Sequence, residues 1–201
     1  MNTTRGLRNN NPLNIRHSAD RWQGARPQQT DPSFVQFESM AYGYRAAWKV
    51  LDTYWKRFAQ ERLPYNVRNI ITRWAPPSEN DTEAYIRSVT LLAGLGGNEN
   101  IPRPLRFYNF GHLAVTARLI AAMACVECGL RMDQINMDQV WQGYDLAFPK
   151  SKRWERKHTH HGTGGTPADI TPYHIETSPE DRHKLTALDE YWDWSPYGEW
   201  G

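Results

Sequence analysis

Long apolar runs are missing from this chain of 201 residues. No stretch approaches the roughly 18 consecutive apolar residues of a membrane-spanning helix, so no membrane span is expected. The first residues are polar and no apolar segment follows them, so no signal peptide is read there. Reaching a cell wall would then depend on a carrier such as a virion or a lysis system. Cysteine is scarce too: Cys125 and Cys128 are all there is, which excludes a disulfide framework. They lie three apart in a helix-forming stretch, whereas structural zinc sites hold a Cys pair on a turn and need two further ligands. His158, His160 and His161 could supply those, but buried thiols in a reducing compartment are the favoured reading, with no metal. Phosphate-cradling Gly-rich loops, a nucleophile elbow and a His-Glu-x-x-His word are absent, so no cofactor is expected. Neither charge sign dominates: 24 Lys and Arg stand against 22 Asp and Glu, a net charge of +2. That disfavours a nucleic-acid glove, although residues 5–26 carry five Arg against one Asp and Lys150 to Lys157 form a basic run. Nucleic-acid contact there is a weaker reading, and it would be salt-sensitive.

What the chain has in excess is amides and aromatics. Arg8-Asn9-Asn10-Asn11-Pro12-Leu13-Asn14-Ile15-Arg16 packs four Asn, two Arg and a Pro into nine residues. Asn competes with the backbone for hydrogen bonds and tolerates left-handed geometry, and Pro12 removes a donor, so the run reads as an ordered polar loop. Such amides either line a cleft that hydrogen-bonds sugars or peptides, or form turns that hold the N-terminus. Hydrophobic content is only 39%, but nine Trp and ten Tyr add large apolar faces with polar tips.

The spacing predicts a short strand at 34–37 and a helix over about 40–59, with Tyr44, Ala47, Trp48, Leu51, Tyr54, Trp55 and Phe58 on one face. A second helix is expected over Val67–Trp74, capped by Asn66 and stopped by Pro76-Pro77. Asn80, with Glu83 three residues on, suggests a capping box for a third helix that ends at Gly94. Helices over about 111–128 and 136–148 complete a mainly α body. From Pro149 the composition changes to a basic run, His and Gly clusters, and an end at 188–201 with three Trp, two Tyr and four acids. The chain therefore divides into a helical domain, 1–148, and a linker with an aromatic-acidic docking tail, 149–201. Trp192, Trp194 and Trp200 are the expected partner-binding anchors of that tail.

The Asn-Ile-Arg element is followed by Trp22-Gln23-Gly24, Phe34-Val35-Gln36-Phe37-Glu38-Ser39 and the aromatic helix. This order resembles the second half of bacterial peptidoglycan glucosaminidases of the flagellar-muramidase type, which have a lysozyme-like fold. It is closer to a family of phage and prophage virion structural proteins that share the Arg-Gly-Leu-Arg-Asn-Asn-Asn-Pro opening and the Arg73-Trp74-Ala75-Pro76-Pro77-Ser78-Glu79-Asn80-Asp81-Thr82 block. The resemblance spans about residues 5–95. It implies a lysozyme-like helical domain with a short β element and a cleft for the glycan strand of peptidoglycan, lined by Arg8, Asn9, Asn10, Asn14, Arg16 and Trp22. It also implies residence in a virion, with other virion proteins or a second copy as partners of the tail.

Glycan cleavage uses a protonated carboxylic acid and often a second carboxylate. The glucosaminidases carry that Glu on a helix upstream of their Asn-rich element, and here only Met1 to Gly6 precede the equivalent spot. Two replacements are read from the residues. Glu79 has Trp74, Pro76 and Pro77 as an apolar wall and Asp81 as a second carboxylate, and Glu38 sits between Phe37 and Ser39. Each is equally an acidic residue near a helix start, favoured there by the macrodipole. His17 and His112 read as surface or core residues rather than bases. The expected function is a virion-associated protein of peptidoglycan-hydrolase type. Its alternative is a non-enzymatic virion building block whose cleft and tail hold neighbouring subunits.

Overall fold

The computed structural model describes residues 3–101 and 110–149. The docking tail with Trp192, Trp194 and Trp200, the basic run and the three histidines of the zinc alternative lie outside the described residues. Six α-helices occur among the described residues: α1 (Arg5–Arg8), α2 (Met40–Glu61), α3 (Val67–Trp74), α4 (Thr82–Ala93), α5 (Phe110–Cys128) and α6 (Met137–Ala147), with a 3-10 turn at Met132–Gln134. The fold is mainly helical. None of these helices is long and apolar enough to cross a membrane.

α5 is the centre of the body. From Ala117 to Cys125 its side chains are buried almost without interruption, as expected of a helix that is apolar all round. It packs against α1, α2, α4 and α6. α2 presents the predicted stripe: Tyr44, Ala47, Trp48, Leu51 and Phe58 are buried. α6 lies tightly along α2. Trp48 Nε1 donates to the Val140 carbonyl at 3.0 Å, and the Trp48 ring meets Tyr144 edge-on at 5.1 Å. Gly143 permits this closeness, since a Cβ there would stand 2.6 Å from Tyr44 Cβ and 2.8 Å from the Arg45 nitrogen.

The helix ends follow local chemistry. Asn66 Oδ1 accepts from the Asn69 amide and caps α3. α4 is capped by Asp81, whose Oδ1 accepts from the Ala84 amide at 2.9 Å, and not by Asn80. Glu83 does not turn back to close a capping box but pairs with Arg68 on α3. Gly94, left-handed at φ 62°, ends α4.

The expected strand at 34–37 is reduced to isolated antiparallel bridges, Arg16 with Phe34 and Ala25 with Phe37. The reason is competition from side chains. The carbonyls of Val35 and Phe37, which a neighbouring strand would use, accept instead from Asn11 Nδ2 at 2.8 Å and Asn10 Nδ2 at 3.1 Å. A second, smaller core of Ile15, Val35, Phe37 and Ala46 lies under this segment. Trp74 packs against both cores and joins them.

Candidate functional site

A groove of about 480 Å³ opens where the N-terminal loop meets the helical body. Leu13 to Arg16 and Phe34 contribute from the loop, Val50 and Tyr54 from α2, and Arg73 to Pro76, Glu79 and Asn80 from the end of α3 and the turn after it. Glu127 comes from the last turn of α5. The loop is held against α2 by a close approach: a Cβ at Gly43 would stand 2.2 Å from the Asn10 carbonyl oxygen.

Glu127 is the best-ordered polar group in this groove. Its Oε2 accepts from Asn14 Nδ2 at 2.8 Å, and its Oε1 accepts from Trp74 Nε1 at 3.1 Å and from the Tyr85 hydroxyl at 2.8 Å. Three elements far apart in sequence thus converge on one half-buried carboxylate, and all three donors are neutral. Burial first, and then the Glu127 carboxylate, keeps the Tyr85 hydroxyl protonated well above the ordinary phenol range. Asn14 takes the left-handed conformation, φ 49°, which Asn tolerates better than most residues. Its Oδ1 is buried with no hydrogen-bond partner among the described residues.

Glu79 stands differently. Its Oε2 is 3.1 Å from Arg16 Nη2, and both side chains are largely exposed, so the pair belongs to the rim of the groove. Arg73 is anchored below by Glu61 at 2.9 Å and lies over the Phe58 ring at 5.1 Å.

Of the residues expected to line a glycan cleft, Asn14 and Arg16 come together here with Glu79. The others lie elsewhere. Asn9 is buried and tied to Asp31 and Gln36. Asn10 holds the carbonyls of Phe37 and Glu38. Arg8 is exposed and donates to the Thr3 carbonyl. It shares a shallow depression with Arg5, Asn9 and Asp31, where the Arg5 guanidinium holds the Asp31 carboxyl well below the usual carboxylate range. Trp22 is half-buried against the smaller core. Glu38 is exposed beside the start of α2, and the Asp81 carboxylate caps α4.

Sequence reasoning passed over Glu127 and Tyr85 as site residues, and read Trp74 only as an apolar wall for Glu79. One signal was available: Glu127 is the single acidic residue of α5 and sits beside Cys128 after the apolar run Leu119 to Val126. Both thiols are free and buried. Cys128 Sγ donates to the Pro12 carbonyl at 3.3 Å, and burial pushes both thiols up to about 11. Among the described residues, no three acidic, His or Cys side chains gather as a metal would require.

No family model matches the chain. A curated relative does: Protein P5 of Pseudoalteromonas phage PM2 is 36% identical over 147 residues, which cover 72% of this chain and 82% of that protein. With an amide-lined groove on a helical body, and that identity across most of both chains, this protein belongs to the family of the phage PM2 Protein P5.

Proposed function

We propose that this is a virion-associated phage protein of lysozyme-like ancestry that binds the peptidoglycan glycan strand in the groove and cleaves it with Glu127 as the acid. One observation carries the reading. A helix-borne carboxyl lies beside the Asn-rich element, in the kind of place where the glucosaminidase resemblance would put an acid: Glu127 is 113 residues away from Asn14 in sequence and 2.8 Å from it in space. The helix that bears it follows the Asn-rich element in the chain instead of preceding it.

The chemistry needs little else. A proton on Glu127 passes to the bridging oxygen as the C1–O bond breaks. Water then adds at C1 and returns a proton to the carboxylate, completing hydrolysis. Asn14 and Asn80 supply amides that pair with sugar hydroxyls, and Tyr54 gives apolar surface for a sugar face. Glu79, with Arg16, is the second carboxylate at the rim. The tail, 149–201, docks on another virion protein or on a second copy through Trp192, Trp194 and Trp200. Deleting 188–201 should abolish co-assembly and leave the melting of the body unchanged.

Purified protein should reduce the turbidity of a peptidoglycan suspension. Glu127→Gln should abolish clearing while retaining most binding, and Glu79→Gln should reduce it less. Clearing that survives Glu127→Gln would remove Glu127 from the role. A second reading, a non-enzymatic building block, is favoured by the three neutral donors on Glu127, which suit a clamp between the loop, α3, α4 and α5. On that reading the wild type neither clears nor binds peptidoglycan, and Glu127→Gln lowers the melting temperature by several degrees.

A further inference from the structure

The inference rests on the groove as the ligand site and deepens that reading. A carboxylate offers about two acceptor positions on each oxygen. On Glu127 both positions of Oε1 are occupied, by Trp74 Nε1 at 3.1 Å and by the Tyr85 hydroxyl at 2.8 Å. Oε2 receives only Asn14 Nδ2, at 2.8 Å, among the described residues. We infer that Trp74 and Tyr85 are positioning residues that saturate Oε1, so that Glu127 meets its ligand through Oε2 alone, on the Asn14 side of the groove.

The three donors are not equally fixed. Trp74 ends α3, packs against both cores and meets Tyr54 edge-on at 6.4 Å. Tyr85 stands on α4 and is packed against the main core. Rotating the carboxylate would break two hydrogen bonds to a charged group at once, and such bonds are roughly twice as strong as neutral ones. Asn14 sits on a loop in left-handed geometry, and the other end of its amide finds no partner among the described residues. Asn11 shows the contrast, with its amide engaged at both ends. Asn14 is therefore the donor that yields or shares when a ligand arrives. While Glu127 is ionised, the ligand group that fits beside it is a donor, a sugar hydroxyl or an acetamido N–H; when Glu127 acts as the acid, its proton sits on the same Oε2 and the bridging oxygen takes that place. Tyr85 and Trp74 never touch that ligand group; they act through Glu127.

The test uses the full chain labelled with nitrogen-15, the Trp74 indole resonance assigned through Trp74→Phe and the Asn14 side-chain amide through Asn14→Asp. In the free protein the Trp74 indole hydrogen should exchange with solvent at least about tenfold more slowly than an exposed indole, and its resonance should move in Glu127→Gln. On titration with a soluble disaccharide-peptide fragment of peptidoglycan, the Asn14 amide should shift while the Trp74 indole keeps its protection. In Tyr85→Phe, where one position on Oε1 falls vacant and the ring packing remains, the same titration should now move the Trp74 indole as well. An unprotected indole in the free protein overturns the proposal. So does an indole that loses protection in the wild-type titration, or a Tyr85→Phe response identical to wild type. If neither resonance responds to the fragment while the free-protein indole is protected and dependent on Glu127, the glycan reading falls and the positioning of Glu127 stands.

Discussion

Residues 9–37 and the helical body solve the same problem by different physics. In the body, Trp48, Leu51, Ile70, Leu119, Ile120 and Met123 are fully buried, and stability comes from apolar area that many residues of similar volume could supply. In the N-terminal segment the centre is occupied by Asn9, Asn11 and Gln36, all buried. Asn11 Nδ2 donates to the carbonyls of Ile15 and Val35 while its Oδ1 accepts from the Ile15 amide. Gln36 Oε1 accepts from the Thr30 amide and hydroxyl. Directional bonds from specific amides replace a β ladder beside the small apolar core of Ile15, Val35 and Phe37, so the segment has little tolerance for change at its buried amides. The groove lies on the seam between the two regions. Its Asn14 comes from the polar segment and its Glu127 from the central helix α5.

The sharpest break of this comparison is Asn11→Leu, a change that keeps the branched shape of the side chain and removes its polar atoms. It leaves the Val35 carbonyl and the Ile15 amide without partners where Asn11 is fully buried, while the Ile15 carbonyl keeps the Val35 amide. At about 1–3 kcal/mol for each unsatisfied buried group, a loss on the order of 4 kcal/mol is expected. Denaturant unfolding measures it. The matched change in the body, Leu51→Met, should cost less than about 1.5 kcal/mol. Equal losses for the two would erase the distinction.

Gly143→Ala probes the body at its least forgiving point. The added methyl meets the α2 backbone, and 2.8 Å to the Arg45 nitrogen cannot be relieved by turning a side chain. The helices must separate, at a cost of about 2 kcal/mol. A neutral result would mean that α2 and α6 slide freely past each other, which their tight Trp48 packing does not suggest.

These two regions were also unequally legible in the sequence. α3 was readable to the residue because Asn66 caps it and Pro76 forbids its continuation. α2 was readable from its aromatic stripe. At α4 two adjacent residues could each cap, and only the fold decides that Asp81 does so. Phe34 to Phe37 alternate like a strand, but pattern alone does not reveal that Asn10 and Asn11 occupy the carbonyls a partner strand would use. Of the residues that line the candidate groove, Asn14, Arg16 and Glu79 had been named from the polar loop and the Pro-rich turn. Glu127 had not, since a lone Glu after an apolar run acquires meaning only when Asn14, Trp74 and Tyr85 arrive from elsewhere in the chain.

The cap separates structure from chemistry at Asp81. Asp81→Ala should cost about 1 kcal/mol through the lost cap, whereas Asp81→Asn keeps an acceptor for the Ala84 amide and should cost a few tenths. If clearing of peptidoglycan is lost in Asp81→Asn with the melting temperature unchanged, Asp81 acts on the ligand in addition to capping α4.

The smallest effect should come from the ion pair that crosses the seam, between the described residues Arg16 and Glu79. Arg16 and Glu79 join the polar segment to the turn after α3, but with 71% and 57% of their side chains exposed solvent weakens their attraction. Exposed pairs are worth from nothing to about 1 kcal/mol, and salt screens them. A double-mutant cycle of Arg16→Ala and Glu79→Ala should therefore give a coupling below about 1 kcal/mol in low salt that fades toward zero at molar salt. Binding should respond more than stability does, since breaking the pair frees the rim of the groove. Retention on peptidoglycan should change in both single variants while their melting temperatures stay near that of the parent. A coupling of several kcal/mol, insensitive to salt, would mean that the pair is a structural tie between the two regions. The seam would then be as rigid as Asn11 makes the segment beside it.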